Sequence, residues 1–248
     1  MNTISVRSAA VSGARHLRVA RNGQDAAATW VGDGAGAIVV CDGCGSGASS
    51  EVGARLGAQL VIGAVAARLR RGERPSALWS GVRAQVVAVL GQLAEAMPGD
   101  RAAAIRDHFL FTIVAAAASG NEVCVWAIGD GGYAFGDRVH VLGPFADNQP
   151  PYLAYDLLDM PAIAHLEATF ARAGTVMVAT DGAVDLGFGL GLTALIDAAT
   201  LTHPDGLRRR LAVLARGSER IDWDARRIVR TPAALQDDGA VAVLGWQP

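Results

Sequence analysis

Short apolar runs that end beside an aspartate and a glycine recur along this chain, and they limit the folds that it can adopt. An apolar run of four to eight residues bounded by turn residues predicts a buried strand that leads into a turn. Each such strand is therefore expected to carry a carboxylate at or just beyond its end. The runs and their turns are Ile38–Cys41 with Asp42-Gly43, Glu122–Ile128 with Gly129-Asp130-Gly131, and Val176–Thr180 with Asp181-Gly182.

Longer stretches with helical apolar spacing separate these runs. Glu51–Leu69 follows two serines of the kind that cap helices, and Ser76–Met97 is closed by Pro98-Gly99. We predict a surface loop over Asn148–Pro161, which contains three prolines. The remaining predicted segments are strands Phe109–Ala117, Tyr133–Gly136, Arg138–Leu142 and Gly239–Gly245, and helices Leu192–Ala199 and Pro204–Ala215. This order predicts an α+β fold, in one domain spanning residues 1–248, and not the β-α-β alternation of a doubly wound sheet.

The charge balance argues against nucleic acid or an anionic membrane as a partner. The formal net charge is −2, so there is no basic surplus to attract either. The longest apolar runs are far shorter than the about 20 residues that cross a bilayer, and Met1–Ser12 lacks the pattern of a secretory signal. We therefore expect a soluble cytoplasmic protein. Its three cysteines do not suggest a disulfide framework.

The aspartates at the strand ends are the residues with the clearest chemical meaning. Glycine lets the backbone turn sharply beside a ligand, and a carboxylate supplies a hard oxygen ligand. Several such ends brought together from different strands would form an all-oxygen site suited to Mg²⁺ or Mn²⁺. Any single Asp-Gly pair is more often only a turn, so the evidence lies in the whole set and its order. The set comprises Asp25, Asp42, Asp130, Asp181, Asp185, Asp237 and Asp238.

The order and spacing of these motifs resemble those of type-2C (PPM) protein serine/threonine phosphatases, and most of all those of the bacterial branch. The resemblance runs from about Gly13 to Leu244. The motifs that carry it are Gln24-Asp25-Ala26, Asp42-Gly43-Cys44-Gly45-Ser46, Phe111-Thr112, Gly129-Asp130-Gly131, Thr180-Asp181-Gly182 with Asp185, and Asp237-Asp238-Gly239. The resemblance implies a four-layer α-β-β-α sandwich with two central antiparallel sheets and a metal site in a cleft at one end.

The resemblance also implies roles for individual residues. Asp42 would bridge two Mn²⁺ or Mg²⁺ ions, with the Gly43 carbonyl as a further ligand. Asp181 and one aspartate of the Asp237-Asp238 pair would complete the site of the first ion, and we favour Asp237. Asp25 would lie beside the second ion, and Asp130 and Asp185 match positions that hold a third, weaker ion. The two ions would lower the pKa of a shared water that attacks phosphorus.

Three positions depart from the pattern or leave a role open. Gln24 stands where many members have glutamate, and a neutral ligand should weaken the second ion. Cys44 stands where some members have a histidine that acts as a general acid, and His16 is a speculative substitute. Arg15, Arg18 and Arg21 are candidates for the arginine that binds phosphate. A regular strand before Asp25 would place Arg21 on the same face as that aspartate, so we favour Arg21.

The function implied is hydrolysis of phosphoserine and phosphothreonine in proteins, with the substrate phosphorylated by a bacterial protein kinase. The alternative is a phosphatase-like regulatory or binding module that holds metal weakly, which Gln24 and Cys44 favour. A third interpretation, a redox protein that uses Cys41 and Cys44, is the least supported, because no second pair of ligands or thiols completes a site.

Overall fold

The computed structural model describes residues 3–32, 34–160, 165–172, 174–186, 195–196 and 198–247. Its strands are β1 (Thr3–Val11), β2 (Asp25–Gly32), β3 (Ala35–Asp42), β4 (Ile113–Ser119), β5 (Glu122–Ile128), β6 (Gly131–Phe135), β7 (Arg138–Leu142), β8 (Leu166–Ala171), β9 (Val176–Ala179), β10 (Ser218–Asp222), β11 (Arg227–Thr231) and β12 (Gly239–Gln247). Its helices are α1 (Ala14–Arg18), α2 (Ser50–Arg70), α3 (Trp79–Ala96), α4 (Arg101–His108), α5 (Asp181–Val184), α6 (Ala198–Thr202) and α7 (Gly206–Leu214).

Ten of these strands form two antiparallel sheets that pack face to face. The first sheet has the order β1-β12-β9-β6-β7, and the second has the order β2-β3-β4-β5-β8. Alternate side chains of both sheets point into one buried core, which includes Val40 and Val125 from the second sheet and Tyr133, Val178 and Leu244 from the first. The strand β12 follows β1 over nine paired positions, so the two ends of the chain lie side by side.

Helices cover the outer face of each sheet. On the second sheet, α2 and α3 bury a large apolar cluster in which the rings of Trp79 and Trp126 stack with centroids 5.3 Å apart. On the first sheet, Leu207 and Leu211 of α7 pack against Met177 of β9 and its neighbours. The predicted α+β sandwich of four layers is confirmed.

The long helix α2 lies very close to the chain that follows α4. A Cβ placed on Gly57 would lie 2.3 Å from the ring of Phe111, and one on Gly53 would lie 1.9 Å from the His108 carbonyl oxygen. Only glycine allows this approach. By length and composition α2 is also apolar enough to cross a bilayer, which is weak evidence because 56% of that apolar stretch is buried inside the protein.

The structure corrects several predicted boundaries. The strand predicted from Phe109 begins at Ile113, and the helix predicted from Ser76 is a 3-10 turn followed by α3 from Trp79. The predicted surface loop Asn148–Pro161 contains a 3-10 helix, Leu153–Leu157, and buries Tyr152, Leu153 and Ala154 against α3, because an apolar run there fills the outer layer. Pro161 and half of the predicted helix Leu192–Ala199 lie outside the described residues.

Several elements were missed by the sequence analysis. They are β1, α1, α4, β8 and the separate hairpin formed by β10 and β11. The helix α4 has a recognisable start, since the Asp100 side chain accepts a hydrogen bond from the Ala103 N–H. The hairpin pairs with neither large sheet, and its strands are mostly exposed, so they lack the apolar alternation that marks a half-buried strand.

Candidate metal centre

The pairing of β2 with β3 places two carboxylates opposite each other at one end of the second sheet. Asp25 begins β2, Asp42 ends β3, and they are direct partners in the antiparallel register. The turn after β3 is fixed by backbone hydrogen bonds, because the Gly43 N–H donates to the Gln24 carbonyl and the Thr112 N–H donates to the Asp42 carbonyl. The first predicted pair of site residues is therefore positioned by the sheet itself.

The first sheet brings further carboxylates to the same end of the sandwich. Asp181 follows β9 and begins α5, and Asp237 lies just before β12, the strand that pairs with β9. Asp130 lies between β5 of the second sheet and β6 of the first, where Gly129 and Gly131 adopt φ values of 94° and 114°. These left-handed conformations favour glycine and let the chain pass sharply from one sheet to the other.

Three of these side chains converge closely. Oxygen atoms of Asp42, Asp130 and Asp181 all lie within 4.8 Å of one another. They line a cleft of about 580 Å³. The predicted site residues that border this cleft are Gln24, Asp25, Asp42, Gly43, Asp130, Asp181, Asp237 and Asp238. Asp185 borders instead an adjoining cavity of about 480 Å³, which it shares with Asp181 and Asp237.

Burial makes the charged form of these carboxylates unfavourable. Desolvation raises the pKa of Asp25 to about 8, although hydrogen bonds from Asp42 and Thr180 oppose the rise. The pKa of Asp42 is raised well above its usual value by burial and by the charges of Asp25 and Asp181. Burial, followed by the charge of Asp181, raises the pKa of Asp130 to about 6. A divalent cation held between these carboxylates would offset their mutual repulsion.

A buried oxygen without a partner shows that the donor set fits a hard divalent cation. The Oδ1 atom of Asp130 is buried and accepts no hydrogen bond from the part of the chain that the structure describes. Buried carboxylate oxygens are rarely left in this condition, and a bound ion is one of the arrangements that satisfy them. Since the converging ligands are all carboxylate oxygens, the site suits Mg²⁺ or Mn²⁺ better than metals that prefer nitrogen or sulfur.

The two aspartates before β12 have different environments. The buried Asp238 carboxylate accepts hydrogen bonds from the Gly13 N–H at 2.8 Å and the Gln24 N–H at 2.6 Å, and it lies 2.7 Å from His16 Nδ1. Asp238 thus ties the α1 segment to the start of β2. The Asp237 side chain is 58% exposed, and its one ion-pair partner among the described residues is Arg15, at 3.6 Å. Asp237 is thus the less constrained of the two carboxylates, and its assignment as the metal ligand stays a prediction.

The departures from the expected motif have structural roles of their own. The Gln24 side-chain N–H groups donate to Ser50 Oγ at 2.5 Å and to the Cys44 carbonyl at 3.2 Å, so this amide fastens the turn after β3 to the start of α2. The Cys44 Sγ atom lies 3.1 Å from Ser46 Oγ. Burial opposes ionisation of Cys44, but hydrogen bonds from Ser46 and Tyr152 lower its pKa below the ordinary value. His16 is occupied by Asp238 and does not border the cleft.

Arg21 does not share a strand face with Asp25, so the prediction is wrong on this point. Strand β2 begins at Asp25, and Arg21 lies in the exposed turn after α1, where hydrogen bonds back to the helix set the chain direction. Its guanidinium donates to the Gly45 carbonyl at 3.3 Å, and Gly45 borders the cleft. Arg21 therefore reaches the rim of the site by a different route. Arg18 is exposed on α1 and does not border the cleft.

Sequence analysis missed residues that support the carboxylates. The Thr180 hydroxyl donates to Asp25 Oδ2 at 2.5 Å and links the two sheets at the cleft. Tyr152 borders the cleft from the segment that was predicted to be a surface loop. In the sequence, no pattern assigns a contact with a carboxylate to Thr180 or a place at the cleft to Tyr152. Cys41 is buried with a raised pKa, due to desolvation and to the charge of Asp25, so nothing here supports a redox pair with Cys44.

Comparisons with known proteins agree with this architecture. The sequence model of the protein phosphatase 2C family matches residues 12–218, and no curated protein sequence matches the chain. The structure is similar to that of PppA from Pseudomonas aeruginosa, with 16% identity over 98% of each chain and a TM-score of 0.61. Serine/threonine phosphatase Stp1 from Staphylococcus aureus matches 98% of this chain and 95% of its own at 11% identity, with a TM-score of 0.62.

A third similar structure was solved with metal bound. It is the catalytic domain of the serine/threonine protein phosphatase PstP in complex with two manganese ions, with 16% identity over the whole of both chains and a TM-score of 0.57. At these identities the structural likenesses establish the fold, while the sequence model establishes the family. Both agree with the family that the motif series indicated.

Proposed function

Because the chain belongs to the protein phosphatase 2C family, we propose that it hydrolyses phosphoserine and phosphothreonine in proteins, using Mn²⁺ or Mg²⁺ ions held in the acidic cleft. The observation that carries the proposal is the convergence of Asp42, Asp130 and Asp181, with a buried Asp130 oxygen that no donor among the described residues satisfies. The similar PstP structure, which contains two manganese ions, supports the choice of metal.

Each carboxylate would have a defined part in holding the ions. Asp42, the Gly43 carbonyl, Asp181 and Asp237 would bind the catalytic pair, and Asp130 with Asp185 would border a third position. Bound Mn²⁺ or Mg²⁺ supplies a water of lowered pKa and positive charge for the phosphoryl oxygens. Neutralising the cluster would also return the raised pKa values of its carboxylates toward their ordinary range.

Other residues would hold the reacting groups in place. Thr180 fixes the orientation of Asp25, which faces Asp42 and is placed to accept a hydrogen bond from water in the cleft. The Arg21 guanidinium, which donates to the Gly45 carbonyl at the rim, would meet a phosphoryl oxygen of the substrate. The partly buried Cys44 thiol and Tyr152 hydroxyl border the cleft and can donate a hydrogen bond to the leaving oxygen.

A weakly metal-binding regulatory module is the second candidate. The observation that favours it is at Gln24, where a neutral amide stands in place of a carboxylate. The amide nitrogen donates to Ser50 and to the Cys44 carbonyl, so the side chain supports the fold and adds no negative charge to hold a second ion. Such a module would keep the fold and bind a phosphoprotein without turning it over.

Hydrolysis of a phosphothreonine peptide tests the proposal. Purified wild-type protein is assayed with EDTA, Mg²⁺ or Mn²⁺, beside Asp42→Asn and the control Asp137→Asn, which changes an exposed aspartate in the turn between β6 and β7. We expect turnover that requires a divalent metal, survives in Asp137→Asn and falls by a factor of at least about 100 in Asp42→Asn, the loss that follows removal of a major source of transition-state stabilisation. Absence of turnover from folded wild-type protein with every metal would favour the regulatory module.

A further inference from the structure

The acidic cleft opens into a groove that continues toward α1 and the β10–β11 hairpin. The adjoining cavity of about 480 Å³ shares Asp181 and Asp237 with the cleft. That cavity shares Pro232, Ala233 and Gln236 with a further cavity of about 460 Å³ between α1 and the hairpin. The three cavities are therefore neighbours along one track, and we call the two beyond the cleft the α1–hairpin groove.

The hairpin presents an exposed apolar pair next to this groove. Ile221 of β10 is paired directly with Ile228 of β11, and Glu219 is paired with Arg230 two positions along. Residues two apart in a strand share a face, so both pairs lie on the same face of the hairpin. Glu219 and Arg230 border the groove, while Ile221 and Ile228 are 53% and 56% exposed. The apolar pair thus extends the groove outward.

The charge along the track changes sign with distance from the cleft. The outer cavity is lined by Arg18, Arg230 and one acidic residue, Glu219, which accepts a hydrogen bond from Arg230 Nε at 2.8 Å. Across the groove from the hairpin, Leu17 of α1 is 54% exposed and Arg18 is exposed. The cleft end is acidic, whereas the far end combines arginines with exposed apolar side chains. A ligand complementary to both ends would bind through a metal cation at the acidic cleft and would carry a negative charge where it meets the arginines at the far end.

We propose that the α1–hairpin groove binds the segment of a phosphoprotein substrate that flanks its phosphorylated residue, and that it prefers a segment with one apolar and one acidic side chain. The proposal rests on the proposed function, because it takes the cleft as the place of the phosphoryl group. The apolar side chain would pack on Ile221 and Ile228, and the acidic side chain would lie near Arg18 and Arg230. The exposed Trp223 at the hairpin tip adds a further apolar surface.

Two peptides that differ only in the flank test this preference. One carries phosphothreonine with leucine and glutamate in its flank, and the other has serine and lysine at those positions; both are made with the flank before and after the phosphothreonine. The variant is Ile221→Ser with Ile228→Ser. The matched control is Val139→Ser with Val141→Ser, which changes two exposed valines on one face of β7 that border none of the three cavities.

We expect the isoleucine variant to raise KM for the leucine–glutamate peptide about tenfold, the effect of exposing one well-packed apolar side chain. Its kcat and its KM for the serine–lysine peptide should stay near wild type, and the valine control should behave as wild type. Arg230→Glu should weaken or reverse the preference for glutamate over lysine. Equal KM values for the two peptides with wild-type protein would overturn the proposal.

A binding measurement separates this proposal from the proposed function. Fluorescence anisotropy of the fluorescein-labelled, unphosphorylated leucine–glutamate peptide in EDTA reports flank binding without metal or turnover. If wild-type protein hydrolyses neither phosphopeptide, the proposed function fails and the anisotropy alone decides on the groove. Weaker binding by the isoleucine variant alone supports the groove, and equal binding by all three proteins refutes it. Loss of a dimer in the isoleucine variant on sedimentation, with peptide binding unchanged, would identify a self-association surface and refute it as well.

Discussion

Replacing Asp130 with asparagine should stabilise the metal-free protein at high pH, although it removes a proposed metal ligand. Burial and the charge of Asp181 raise the pKa of Asp130 to about 6 from 3.8. A carboxyl group whose pKa is higher in the folded state binds more protons there than in the unfolded chain. Its ionisation therefore costs stability, and this cost is absent below pH 3.8, grows between pH 3.8 and about 6, and is complete above that range.

The size of the effect follows from the same difference. A pKa change from 3.8 to about 6 corresponds to about 3 kcal/mol for a fully buried group. Asp130 is partly accessible to solvent, so screening reduces this to about 1–2 kcal/mol. For a chain of this length, that free energy corresponds to a rise in Tm of roughly 2–8 °C. Asparagine keeps the shape of the side chain but cannot ionise, so it escapes the cost.

Thermal unfolding followed by circular dichroism measures the effect. Wild type, Asp130→Asn and the exposed-site control Asp224→Asn are compared in EDTA at about pH 4 and about pH 8, where the ionisation cost is small and complete, respectively. We expect Asp130→Asn to unfold at a higher temperature than wild type at the higher pH and to lose most of that advantage at the lower pH. Saturating Mn²⁺ should then stabilise wild type by more than the variant.

Two results would refute the electrostatic reasoning for Asp130. One is a metal-free Asp130→Asn that is no more stable than wild type at the higher pH. The other is a stabilisation of equal size at both pH values, which would show that packing and not ionisation is responsible. A similar gain in Asp224→Asn would point to the net charge of the protein and not to the cleft.

Three further predictions concern residues that support the site. Asp238→Ala should lower the free energy of unfolding in urea by about 2–4 kcal/mol, because it leaves buried N–H donors without an acceptor. Asp237→Ala should leave this free energy nearly unchanged and should weaken Mn²⁺ binding. Weaker Mn²⁺ binding in Asp238→Ala, with unchanged binding in Asp237→Ala, would contradict the assignment of Asp237 as ligand. Gly57→Ala should cost about 1–3 kcal/mol through a clash with an aromatic ring, and Gly63→Ala, which faces open space on the same helix, should be neutral or mildly stabilising in the same unfolding assay. Thr180→Val removes a hydrogen bond that lowers the pKa of Asp25, so the pKa of Asp25 should rise further. The acid limb of the pH profile of the Mn²⁺-dependent rate should then move to higher pH. An unmoved limb would show that Asp25 does not control the rate.

Much of the core and of the carboxylate set follows from local sequence. Ile38–Cys41 and Val176–Thr180 are apolar enough to be buried on both sides, so their strand character does not depend on distant partners. Within each sheet, antiparallel pairing sets the end of one strand beside the start of its neighbour, so Asp42 lies opposite Asp25, and the end of β9 lies beside the start of β12. The motif order added the expectation that the two sheets face each other, and the fold bears this out.

What the sequence could not provide depends on long-range contacts. The α1–hairpin groove is formed by Leu17 and by β10–β11, which lie about 200 residues apart in the chain, and the hairpin is too exposed to show a pattern. Arg21 was assigned to a strand because nothing local shows that the chain turns back after α1. The different environments of Asp237 and Asp238 arise from contacts with His16 and Gly13, more than 200 positions away.

Titration of the protein with Mn²⁺, with free ion measured by electron paramagnetic resonance, tests most directly whether the cleft is a metal centre. We predict at least two bound ions per wild-type chain, with unchanged binding in Asp224→Asn and loss of the tighter sites in Asp42→Asn and Asp181→Asn. Mn²⁺ binding that is the same in all four proteins would contradict the central claim, because the carboxylates at the strand ends would then not be the ligands.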